Sequence, residues 1–108
     1  MNDEIILITV FAEYDKLGFS TTRTVETTIW GKLESVTRSE FYSALANNIT
    51  LETQIRVNLD DYRLGIVEGN RPSKVTAIDS YTLDVMNYDI VRSYNDNSDM
   101  ILYCKRGK

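Results

Sequence analysis

Along most of the chain, apolar and polar positions alternate with period two. From Thr24 to Val36, the residues Val25, Thr27, Ile29, Gly31 and Leu33 fall on one face. Glu26, Thr28, Trp30, Lys32 and Glu34 fall on the other. The segment LETQIRVNL is cleaner: Leu51, Thr53, Ile55, Val57 and Leu59 point inward, and Glu52, Gln54, Arg56 and Asn58 point outward. The run IILITVFA, Ile5 to Ala12, has no polar partner positions except Thr9. It predicts a strand from Glu4 to Glu13 that is buried on both faces. Strand patterns return at SKVTAID, YTLDVM and YDIVRSY, and the last joins MILYCK through the turn NDNSD. YDKLGFSTT, with Gly18 as turn residue, and DDYRLGIVEGNRP, with Gly65, Gly69 and Pro72, read as loops.

The alternation breaks once, at ESVTRSEFYSALANN. Thr37 and Glu40 have the T-x-x-E spacing of a capping box, in which the two residues satisfy each other's orphaned N–H groups. Phe41, Ala44 and Leu45 sit at i, i+3 and i+4 and form one apolar stripe. Asn47 and Asn48 tolerate the left-handed conformation that ends helices. A helix of about ten residues is unstable alone, so it must dock on the sheet. The pattern therefore predicts a mainly β fold, a small β-barrel or sandwich of about six strands with one short docked α-helix (about residues 37–47). One domain covers residues 1–108.

Composition narrows the chemistry more than the fold. With 43% hydrophobic and 26% charged residues, the 108-residue chain has the make-up of a folded domain. Net charge is −4, and the one basic cluster, CKRGK, is too short to grip phosphates alone, so specific DNA binding is not expected. The absence of His removes the usual general base and the commonest metal ligand. A single Cys excludes an intramolecular disulfide. The apolar run Ile5–Ala12 is far shorter than a membrane span, and no basic segment precedes it as in a signal peptide.

Individual candidates for chemistry fail for stated reasons. NDNSD alternates oxygen ligands but lacks the Gly and Glu of a calcium loop. Asp60, Asp61 and Glu68 have no fixed spacing, and Ser35, Ser39 and Ser43 have no base to activate them. Lys105 and Arg106 beside Cys104 would favour a thiolate, whereas a hairpin position favours a small apolar role. No enzyme and no cofactor is expected. Trp30 stands on the charged face, as a rim residue under a loop or as a partner contact. An oligonucleotide-binding barrel would stack bases on Trp30 and the tyrosines, but its basic groove is missing.

The stretch WGKLESVTRSEFYSALANNITLETQIRVNLDDY resembles the head-tail joining proteins of tailed bacteriophages, in the head-closure or stopper family. The matching positions are Leu33, Ser35 and Val36, then Thr37, Arg38, Ser39, Glu40, Phe41, Tyr42 and Ala44, then Asp61 and Tyr62. The closing segment YDIVRSYNDNSDMILYCKRG matches through Tyr88, Ile90, Arg92, Tyr94, Ile101, Leu102, Tyr103 and Cys104. The chain departs from the pattern in a longer segment at residues 71–86. The resemblance implies a structural subunit of the virion, assembled in the host cytoplasm, that forms a ring, twelve-fold to match the portal. Portal or adaptor proteins would lie above it and tail proteins below, with DNA passing through unbound and no membrane contact. Its free subunit would be a monomer. A tail-side joining or terminator protein is the alternative within that class. Trp30, Arg38, Glu40 and Tyr42 would then serve as interface residues, and Asn47, Asn48, Ile49 and Thr50 as a channel-facing segment.

Overall fold

In the computed structural model, which describes residues 3–107, two long strands open the chain. β1 (Asp3–Tyr14) and β2 (Ser20–Glu34) form a hairpin in unbroken register from Asp3↔Gly31 to Tyr14↔Ser20. The turn is organised by Asp15, whose carboxylate accepts from the N–H groups of Leu17 and Phe19, each at 2.9 Å. Gly18 supplies the positive φ of 86° that the turn requires. α1 (Arg38–Leu45), β3 (Thr53–Asn58), α2 (Leu59–Arg63), β4 (Lys74–Ile78), β5 (Val85–Asp96) and β6 (Asp99–Arg106) follow.

The six strands close into an antiparallel barrel in the order β1-β2-β3-β6-β5-β4. The seam between β1 and β4 pairs Glu4–Ile8 with Lys74–Ile78. β4 comes from the long segment at residues 71–86, so that departure from the connector pattern supplies the strand that seals the barrel.

Alternate residues fill the interior: Ile5 and Leu7 from β1, Ile29 from β2, Ile55 and Val57 from β3, Val75 and Ala77 from β4, and Leu102 and Cys104 from β6. Tyr62 of α2 joins this core. Below it, the Thr9 hydroxyl donates to the Gly65 carbonyl, a buried bond of 2.5 Å. Gly31 lets β2 and β3 approach, because a Cβ there would sit 2.7 Å from Val57 Cγ1 and 2.8 Å from the Arg56 carbonyl oxygen.

The inward positions expected on β2 and β3 are the covered ones, except that Leu51, which precedes β3, is covered in a second cluster with Ile101 and Tyr103 outside the barrel core, and the closing hairpin forms as the pattern predicts. Several expectations need correction. β1 is buried on one face only: Ile6 and Ile8 are half-buried and Val10 is exposed, because a small barrel has a single dry side. YTLDVM is not a strand. Asp79 accepts from the N–H groups of Tyr81 and Thr82 at 2.7 and 3.0 Å, and Leu83 turns at φ 61°, so only Val85 and Met86 enter β5. The loop expected at Asp60–Arg63 is the second helix, α2. Asn58 caps it by accepting from the N–H groups of Asp60 and Asp61 at 2.9 and 3.3 Å. Gln54 is covered rather than open, and its Nε2 donates to Glu34 at 3.0 Å.

The helix α1 sits where the sequence places it but is held differently. Thr37 is the N-cap residue, yet its side chain makes no capping bond, so the capping box does not form. Glu40, its other half, turns away to an ion pair with Arg92 on β5. Leu45 is exposed, so the docked stripe reduces to Ala44 with half-buried Phe41. Ala44 packs with Val36, Ile49 and Val91 on a second apolar cluster of Leu51, Ile101 and Tyr103, on the outer wall of the barrel.

Candidate functional site

The wall beneath α1 depends on a β-bulge. β5 pairs β6 through Ile90↔Cys104 and then Arg92↔Tyr103, skipping one residue. Without that shift Arg92 would fall opposite Leu102 and face the core. The extra residue turns it to the outer face beside Tyr103. There the Arg92 guanidinium lies 5.1 Å from the centre of the Tyr103 ring and pairs with Glu40. Burial, with the charge of Glu40 second, holds the Tyr103 hydroxyl above its usual range.

The C-terminal end of α1 closes with a Schellman motif. Asn48 adopts φ 61°, the Ile49 N–H donates to the Ala44 carbonyl at 3.1 Å and the Asn48 N–H to that of Leu45 at 2.9 Å. Ile49 then packs with Ala44 in the outer cluster, the hydrophobic contact that accompanies this motif. Of the segment expected to face a channel, Asn47, Asn48 and Thr50 are exposed and Ile49 is half-buried. Between α1 and β5 lies a cleft of about 220 Å³, with Ala44, Ile49, Leu51 and Val91 as its apolar lining and Glu40, Ser43, Asn47 and Arg92 as its polar lining.

Arg38 and Tyr42 are exposed on α1, and Tyr42 meets Phe41 edge-on with ring centres 5.7 Å apart. Trp30 is 56% exposed on β2 and belongs to a different groove, with Gly31, Lys32, Arg56, Asn58, Asp61 and Asp99. The structure therefore brings Glu40 together with Asn47 and Ile49, and sets Trp30 in a groove that shares no lining residue with theirs.

The groove at Trp30 is governed by Arg56, which the sequence marked only as outward-facing. Asp96 and Asp99 oppose each other at the turn end of the β5–β6 hairpin. Arg56 spans both, at 3.4 and 3.3 Å, and reaches Glu34 at 3.3 Å. The bond to Asp99 is the chief cause holding its guanidinium above the ordinary value. Three carboxylates leave little of that charge for a phosphate. The clue in the sequence was the acid-rich turn NDNSD itself, which needs a counter-ion once its two ends meet.

Cys104 is fully buried, and burial, aided by Asp89, pushes its thiol up to about 12, which fits the small apolar role. Among the described residues, no cluster of His, Cys, Asp and Glu is placed to hold a metal ion, and no helix is long and apolar enough to cross a membrane.

No protein-family model matches the chain, and no curated protein matches it. Among solved structures it is similar to the solution structure of protein SF1141 from Shigella flexneri 2a, a structural genomics target. The TM-score is 0.62 at 16% identity, covering 97% of this chain and 91% of that one. At that identity the likeness shows a shared fold.

Proposed function

We propose that the protein is a structural subunit of a phage head-tail connector, forming a ring under the portal or adaptor that closes the filled head and docks the tail. One observation carries the reading. Glu40 and Arg92, one from each motif behind the resemblance, lie 52 residues apart in the chain yet meet in an ion pair, with Tyr103 of the second motif under the guanidinium. Motif residues that lock one helix to one barrel wall are a scaffold rather than a reaction centre. The engaged Arg56 fits a surface past which DNA slides without sticking. On this reading Arg38 and Tyr42 on α1 are contacts to neighbouring subunits, Trp30 is a second contact point, and Asn47–Thr50 faces the channel.

The test is to add the purified chain to DNA-filled heads that lack their closure protein and image them by electron microscopy. A ring of density at the portal vertex, with retained DNA, is the expected result. Unbound chain and leaking heads would overturn the proposal. Strong salt-sensitive quenching of Trp30 by single-stranded DNA would instead favour a nucleic-acid-binding module.

A further inference from the structure

The β1–β2 hairpin outruns the barrel. β4 covers β1 only over Glu4–Ile8, and β3 covers β2 only over Gly31–Glu34. Beyond those limits, among the described residues, no strand pairs with the outer edge of Val10–Tyr14 or with that of Ser20–Thr28. Proteins usually blunt such edges with Lys, Pro or bulges. Here neither stretch contains Lys or Pro, the register is unbroken, and Thr dominates the outer part of β2. The tip adds Tyr14, Leu17 and Phe19, all largely exposed. A two-stranded ribbon alone is marginally stable in water.

We propose that this ribbon pairs head-to-tail with that of a second copy, the outer edge of β1 against the outer edge of the neighbour's β2. The charge layout selects that occupant. Glu13 on β1 and Arg23 on β2 share a face and already pair at 3.5 Å within the ribbon. Head-to-tail addition sets Glu13 of one copy against Arg23 of the next, so each charge lies between two of opposite sign. Like-on-like pairing does not achieve this. Two β1 edges bring Glu13 towards Glu13. Two β2 edges related by a two-fold keep odd positions facing odd ones, so Arg23 never meets the acid at Glu26. A pairing between unlike edges repeats, and it closes into a ring when the rotation allows. The inference rests on the ring reading above for that closure and adds the element and register that would build it.

The test uses two full-length variants, Ala12→Cys and Thr24→Cys, positions that are both exposed and lie opposite each other when Glu13 faces Arg23. The native Cys104 is buried and does not compete. Under mild oxidation the mixture should give disulfide-linked heterodimers, while neither variant alone gives dimers. Adding Glu13→Lys to the Ala12→Cys protein should lower the yield about fivefold, the upper range for one exposed ion pair. Arg23→Glu in the partner should restore it. Equal cross-linking within either variant alone, indifference to the charge reversal, or no cross-link either free or on DNA-filled heads overturns the pairing. A chain that docks on heads without cross-linking removes this inference and leaves the connector reading. One that cross-links without docking does the reverse.

Discussion

Gly31, Arg56 and Cys104 occupy three kinds of environment that a single substitution probes separately. At Gly31 a methyl group must displace the Arg56 carbonyl as well as Val57, and backbone does not yield cheaply. Gly31→Ala should destabilise the barrel by about 1–3 kcal/mol, measured as a lower urea midpoint with an unchanged slope. Arg56→Ala leaves Asp96 and Asp99 facing each other unscreened. Because those groups are partly exposed, the expected loss is about 1 kcal/mol, and high salt should shrink it. Cys104 tests pH. Its folded-state value lies above that of a free thiol, so its contribution to stability is complete below pH 9.0 and is lost as pH rises from there towards about 12. Iodoacetamide at neutral pH should spare Cys104 in the folded chain and label it fully in denaturant.

At the scale of elements, α1 is held more by its cross-link to β5 than by its own cap. Glu40→Ala should therefore loosen the helix, at a cost of about 1 kcal/mol, while Thr37→Ala changes stability by only a few tenths. At the other end, Asn48→Gly should be tolerated, and Asn48→Val should cost about 1–2 kcal/mol because a β-branched residue resists positive φ. Amide exchange of Ala46 to Thr50 would report both changes. These elements also show what the sequence could and could not carry. β2 and β3 were legible because their buried faces alternate with charged ones. β1 misled because Ile6 and Ile8 are apolar on the outer face, leaving no polar marker of which side is wet. YTLDVM alternates like a strand, but the carboxylate of Asp79 organises its backbone into a turn. α2, at five residues, is too short for a helical period to register. The site at Arg92 was visible as a motif residue and not as a partner of Glu40. Its orientation comes from a bulge, a property of strand pairing rather than of either strand's composition.

For the whole molecule, the connector reading predicts that deleting Asn47 and Asn48 removes the helix cap while sparing the barrel core. Circular dichroism should stay β-rich, and heads carrying the variant should lose packaged DNA. Full retention would remove the channel-facing role from that segment. The molecule measures 49 × 33 × 29 Å. A fifteen-residue strand such as β2 spans about 45 Å at ~3.3 Å per residue, which accounts for the long dimension. The barrel seam has a further consequence, in time rather than space. Glu4 pairs with Ile78, so the first strand must wait for most of the chain before its second neighbour exists. During synthesis the β1–β2 hairpin emerges with both edges bare. Contacts this far apart in sequence also slow folding, towards the millisecond-to-second range of other barrels. A nascent chain stalled before Lys74 therefore presents the outer edge of β1, rich in Ile and Leu, with no neighbour along Glu4–Ile8. Chaperone capture or aggregation should peak at that length and fall once β4 has emerged.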